Sequence, residues 1–136
     1  MVNCWNTAIA LRRVIRWAIR FTPQQITHQN KAFFYTMGIS AETRSHIRSL
    51  FDFKEDIIKP EGLSAAWQTG STRRLCRIAF NLWNGWTEEG NENCSTPYWL
   101  FDCGFAPYFF EAIRLRYPEY CRSMEHPALH FSRSER

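Results

Sequence analysis

Residues 73–84 carry the pattern that most narrows what this chain can become. Leu75, Ile78, Ala79, Leu82 and Trp86 fall on one stripe at helical spacing, and a 3.6-residue period turns such a set into one continuous apolar face. Arg73, Arg74, Arg77, Asn81 and Asn84 fall elsewhere on the same helix. Gly70-Ser71-Thr72 leads into it with a Ser cap, and Gly85 is placed to stop it. An apolar stripe of this length has to be covered, so the question becomes what covers it.

The other segments also read as helices. Asn6 caps a helix over residues 7–21, with Leu11, Val14, Ile15 and Ala18 inward. Arg12, Arg16 and Arg20 sit four apart on another face with Arg13 beside them; they repel one another, so that helix depends on packing. Thr22-Pro23 opens a second helix over 23–37 with an Ile26, Phe33, Phe34, Met37 stripe and Gly38 at its end. Ser40 caps a third near 41–51, with Ile47, Leu50 and Phe51 inward. Residues 52–68 hold Lys59-Pro60 and Gly62 and predict a long structured crossing loop. Its Phe53, Ile57, Ile58, Leu63 and Trp67 are expected to plug the core.

After a polar, acidic loop over 87–93, Ser95-Thr96-Pro97 starts a short helix ending by Gly104. Pro107 opens a last helix to Tyr117. Phe109, Phe110, Ile113 and Tyr117 are expected inward there, Arg114 and Arg116 outward, and Pro118 ends it. The tail over 122–136 is polar and expected to fray. No alternating strand pattern runs beyond a few residues. The expected fold is an all-α single domain over 1–136, with five or six helices.

Composition sets the class. Of 136 residues, 45% are hydrophobic and 16% aromatic, too apolar for a disordered chain. No apolar run approaches the roughly 20 residues needed to cross a bilayer, so no membrane partner is expected. Cys4, Cys76, Cys94, Cys103 and Cys121 are odd in number and include no CxxC pair, which predicts free thiols in a reducing cytoplasm. Arg12, Arg13, Arg16 and Arg20 interrupt any secretory leader.

Charge is unevenly placed. The net charge is +4, yet residues 1–41 hold five basic groups and no acid, while the remainder carries twelve basic against thirteen acidic. Fourteen of the 17 basic residues are Arg, whose planar fork suits carboxylate and phosphate. The Arg12, Arg16, Arg20 face therefore reads as solvated or partner-facing.

Four kinds of chemistry can be weighed. Cys121, His126 and His130 form C-x4-H-x3-H, to which Cys94 or Cys103 could add a fourth zinc ligand. Pro127 between the histidines and the missing CxxC argue against it, so no cofactor is expected, with zinc the one open case. Ser71, Thr72, Arg73, Arg74 and Arg77 collect hydroxyls and guanidiniums at a helix start and could take an anion or nucleic acid. The phosphate-loop spacing is absent, and a capped helix with a solvated Arg face explains the same residues. Glu88, Glu89 and Glu92 form an acidic cluster able to imitate phosphates. No nucleophile motif surrounds His28, His46, His126 or His130, so no enzyme is expected.

Two blocks are more specific. Residues 50–86, with the phrases KPEGL, WQTGSTRR and AFNLWNGW, and residues 95–121, with FAPYFFEAIRLRYPEY, resemble a family of short proteins of unknown function. That family is carried by phages and mobile elements of gut bacteria, and the resemblance covers residues 31–121. It implies no reaction and no catalytic residues. It implies a context, a small accessory protein in a bacterial host's cytoplasm, where such proteins often bind host defence machinery. The expected function is a non-catalytic protein-binding inhibitor, an anti-CRISPR that binds an RNA-guided nuclease or its guide complex. Its contacts would come from Glu88, Glu89 and Glu92, or from Arg12, Arg16 and Arg20. The alternative is a nucleic-acid-binding accessory module using the Arg-rich helix faces.

Overall fold

At the centre lies a helix whose last two turns are buried on every side. The computed structural model describes residues 27–121, and in it α1 (His28–Gly38) buries every residue from Ala32 to Gly38. That stretch contains no charged side chain, and a helix apolar all round has to be enclosed. α4 (Gly70–Asn84) and α6 (Ala106–Arg116) both pack along it. The one aliphatic hydroxyl in the stretch, on Thr36, donates to Ala32 O at 2.7 Å and so is not left unpaired in the core.

Phe33 is the hub of the packing. Its ring lies 5.1 Å from Phe34 and from Phe51, 5.7 Å from Trp83 and 6.2 Å from Phe80, centroid to centroid. Edge-to-face and tilted pairs of this kind contribute about 0.5–1.5 kcal/mol each beyond simple burial. The helix starts at Thr27, whose backbone is extended and whose Oγ1 accepts from Asn30 N at 3.1 Å. The expected Thr22-Pro23 start lies outside the described residues; the described helix takes its cap from Thr27.

The expected helix over 41–51 breaks in two. Ser40 caps it as expected, accepting from Glu42 N and Thr43 N. The chain then leaves helical geometry at His46, between α2 (Ala41–Ser45) and α3 (Ile47–Leu50). Ser45 Oγ and His46 Nδ1 both turn back onto the Glu42 carbonyl, at 3.0 and 2.8 Å, a local competition with the helical ladder. The His46 ring stacks on Trp67 at 4.3 Å.

The crossing loop contains structure of its own. β1 (Phe51–Asp52) pairs antiparallel with β2 (Ile57–Ile58), Phe51 opposite Ile58. Asp52 Oδ1 accepts from Lys54 N and Glu55 N, and those backbone donors, Glu55 foremost, hold its carboxyl below the usual carboxylate range. Strand alternation sends neighbouring side chains to opposite faces. Ile58 is therefore buried and Ile57 half exposed, which corrects the expectation that both plug the core. Leu63 is buried, while Phe53 and Trp67 pack partly buried against the core.

A buried amide joins this crossing to α4. Gln68 Nε2 donates to Gly62 O at 3.1 Å, and its Oε1 accepts from Thr72 Oγ1 at 2.7 Å. Thr72 also completes a capping box with Thr69: Thr72 N donates to Thr69 Oγ1, and Thr69 N to Thr72 Oγ1. The cap of α4 is thus Thr69 rather than Ser71, because only Thr69 finds a reciprocal partner three residues on. Gly85 ends the helix in the left-handed region, φ 80°, as expected.

α5 (Pro97–Leu100) and α6 complete six α-helices among the described residues, with short 3₁₀ turns at Pro60–Ser64, Glu92–Ser95 and Pro118–Tyr120. The fold is mostly helical, as expected, with a two-residue ladder added. On α6 the buried residues are Phe109 and Ala112. Phe110 points outward and Tyr117 is partly exposed, correcting their expected burial: α6 meets α1 along one narrow face, and Phe110 lies about 100° around the helix from Phe109. Arg116 is corrected too. Its Nε donates to Leu82 O at 2.8 Å, a carbonyl in the last turn of α4 that has no partner within the helix. No helix among the described residues is long and apolar enough to cross a membrane. The expected helix over 7–21 and the tail over 122–136 lie outside the described residues.

Gly62 marks the closest approach. A Cβ there would sit 2.5 Å from Ser49 O and 2.8 Å from Leu50 Cδ2, and a backbone oxygen cannot step aside. Gly62→Ala is expected to cost about 1–3 kcal/mol of stability, read as a lower urea midpoint at unchanged slope. An unaltered midpoint would refute the close packing of this crossing on α3.

Candidate binding surface

α5 is too short to bury a stripe. Thr96 enters it in an extended conformation, Pro97 fills its first position, and only Leu100 reaches the core. Tyr98 and Trp99 are left outside, 84% and 40% exposed, with their rings edge to face at 5.8 Å. Phe101 turns back and packs edge-on against Phe109 at 5.5 Å and against Phe110 at 5.2 Å. Phe110, 65% exposed, carries the aromatic surface from α5 onto α6. A concavity of about 490 Å³ opens here, lined by Pro97, Tyr98, Trp99, Phe101 and Asp102.

A second, smaller cleft shares a wall with it. Gly70, Arg73, Arg74, Arg77, Cys94 and Trp99 enclose about 230 Å³, so Trp99 stands between an aromatic hollow and a basic one. Helical spacing brings the three arginines together: 73 and 77 are one turn apart, and 74 flanks them. Each is anchored within the fold. Arg73 Nε donates to Leu63 O at 3.2 Å, and Arg74 Nε donates to Trp99 O at 2.8 Å. Arg74 Nη1 reaches Gly70 O, and its Nη2 lies 3.8 Å from Asp102 Oδ2. Arg77 Nη2 pairs with Glu88 Oε2 at 2.7 Å, whereas its Nε is buried with no hydrogen-bond partner among the described residues.

The expected acidic cluster is divided by this pairing. Glu88 turns inward to Arg77, while Glu89 stays exposed. Glu92 accepts from Gly90 N at 3.0 Å. Its own amide and that of Gly90 hold its carboxyl below the usual range. Among the anion candidates, Arg73, Arg74 and Arg77 come together, but the Thr72 hydroxyl is occupied by Gln68 and the cap. Ser71 is half-buried and does not cap the helix.

Other candidates are scattered. Cys103 donates to Leu100 O and is half-buried, and Cys121 is exposed. His126 and His130 lie outside the described residues, as do Arg12, Arg16 and Arg20. Among the described residues no group of three His, Cys, Asp or Glu could hold a metal ion. Cys76 is a core residue, and burial pushes its thiol up to about 12, which makes it inert at neutral pH.

A family model, described as a family of unknown function (DUF6075), matches residues 18–128. The chain belongs to that family. The match extends past both ends of the resemblance carried by the 50–86 and 95–121 blocks, and it takes in the whole α5 surface. No curated protein and no solved structure matches the chain.

Spacing alone places Phe110 on the α6 stripe, which hides the aromatic ledge at the level of sequence. The available signal was Pro97 and Gly104, which bracket a segment too short to bury both Tyr98 and Trp99. The Glu88 pairing has a direct test. Glu88→Lys leaves the enclosed Arg77 facing a like charge and is expected to lower stability by about 1–2 kcal/mol, whereas Glu89→Lys should stay within about 0.5 kcal/mol of the parent. Equal effects in chemical denaturation would refute a structural role for Glu88.

Proposed function

We propose that the chain is a small non-catalytic protein-binding module of phage or mobile-element origin. On this reading it works in the cytoplasm of a bacterial host, where it docks on an RNA-guided nuclease and inhibits it. The observation that carries the docking is the exposed aromatic surface of Tyr98, Trp99 and Phe110 beside three arginines. Tyr, Trp and Arg dominate the energetics of protein interfaces, and contiguous exposed aromatics mark such sites. The choice of a defence nuclease rests on the resemblance to short proteins of phages and mobile elements.

Two features favour a protein partner over a nucleic acid. From residue 42 onward acids slightly outnumber bases, so the body of the chain lacks the surplus that attracts a phosphate backbone. Arg73, Arg74 and Arg77 also each spend part of their donor set within the fold.

The test is a DNA-cleavage titration. The purified chain is added to RNA-guided nucleases of several classes, each loaded with its guide. Cleavage by at least one should fall as the chain becomes equimolar with the effector. The Tyr98→Ala, Phe110→Ser double variant, altered only at exposed rings, should need at least tenfold more protein. Undiminished cleavage by every effector would overturn the nuclease reading.

A further inference from the structure

The shared wall at Trp99 narrows the kind of partner. We infer that the α5 surface takes a protein segment carrying a carboxylate one or two residues from an aromatic side chain. The carboxylate enters the Arg73, Arg74, Arg77 cleft, and the ring enters the concavity on the other side of Trp99. This inference rests on the reading of α5 as a docking surface and adds the chemistry of what docks.

Charge complementarity selects the first half. Three guanidiniums line the smaller cleft, against Glu88 on Arg77 and a more distant Asp102 on Arg74. Among the described residues one positive charge is left without a counterpart. Each guanidinium has five donors in a planar fork. Arg73 uses its Nε on Leu63 O and leaves its two terminal nitrogens without a partner among the described residues, whereas the Nε of Arg77 is buried. A carboxylate matches that fork in two-point geometry. The cleft is also held in shape: the Arg74 bond to Trp99 O fixes the wall to the arginines, so both hollows keep one spacing.

The second half follows from what lines the larger hollow. Tyr98, Trp99 and Phe101 offer ring faces and edges to an apolar or aromatic side chain. A nucleotide could also stack there with its phosphate among the arginines, but Asp102 argues against it. Its side chain is 80% exposed on the rim of that hollow, where it repels the next phosphate of a strand. The same carboxylate accepts a peptide N–H. The acidic-aromatic peptide is therefore the occupant that all five lining residues tolerate.

The experiment is a titration of the full chain, followed by proton–nitrogen correlation spectra of the Trp99 indole and the Arg73 and Arg77 Nε–H groups. Three capped hexapeptides serve as probes: Gly-Ser-Glu-Gly-Phe-Ser, the same with Gln for Glu, and the same with Ala for Phe. An oligothymidylate of six nucleotides is the fourth. The Glu/Phe peptide should shift all three side-chain signals. The Gln and Ala peptides, and the Arg73→Gln variant with the parent peptide, should each bind at least fivefold more weakly.

Equal binding of the Glu and Gln peptides would overturn the carboxylate pocket. Shifts from the oligothymidylate at lower concentration than from the peptide would make the occupant a nucleic acid. Absence of any shift would also overturn the inference. The two readings fail separately. If the peptides do not bind but the Tyr98→Ala, Phe110→Ser variant still loses nuclease inhibition, docking stands and this occupant falls. If that variant inhibits as well as the parent, the α5 surface is not where the partner sits.

Discussion

Enclosing α1 is the constraint from which the remaining architecture follows. A helix that is apolar from Ala32 to Gly38 cannot meet water on any side, so the chain has to supply a cover in several directions. α4 covers one side with a broad stripe, α6 another with a narrow one, and Phe51 arrives from the crossing. Phe33 touches rings from two of those sources, Phe80 and Trp83 of α4 and Phe51 of the crossing. Because interiors are close-packed, each cover is committed to its position. The Gln68 amide, bonded to Gly62 O and to Thr72, then ties the crossing to the start of α4 without leaving a buried polar group unpaired.

The exposed aromatic surface is a by-product of that commitment. Once α4 and α6 are fixed on α1, the segment between them has to bridge their ends. It does so with a 3₁₀ turn and the four-residue α5, which anchors only Leu100. Its aromatic residues have no core left to enter. The same geometry sets the arginines beside them, since the first turns of α4 face the start of α5 and Arg74 bonds directly to the Trp99 carbonyl. Structural bonds hold each of the three guanidiniums in place, Arg74 through all three of its nitrogens.

Legibility differed by element. The α4 stripe and its Gly85 stop were readable because a long amphipathic helix repeats its signal over four turns. The Ser40 cap was readable because hydroxyl capping is local. The break at His46 was not, since it depends on side chains returning to a single carbonyl. Neither were the fates of Ile57, Phe110 and Arg116. Each is a residue whose neighbours in sequence behave as expected, and whose own direction was set by a strand pair, a narrow helix contact or an open carbonyl on another helix. Of the candidate site, Arg73, Arg74 and Arg77 were legible as a group. Their separation from Glu89 and Glu92, and their junction with Trp99, were not.

Local physics, then, settled in the amino-acid sequence alone that this chain is mostly helical, where α4 runs and ends, and which family it belongs to. These are properties of periodicity, capping and residue identity within a few turns. Tertiary structure decided which aromatic residues would be left outside and which charges would meet. Glu88 pairs with a residue eleven positions away, and Arg74 with a carbonyl twenty-five positions away. Such partners are chosen by how helices of unequal face width share one enclosed neighbour, and no local pattern encodes that competition for buried surface.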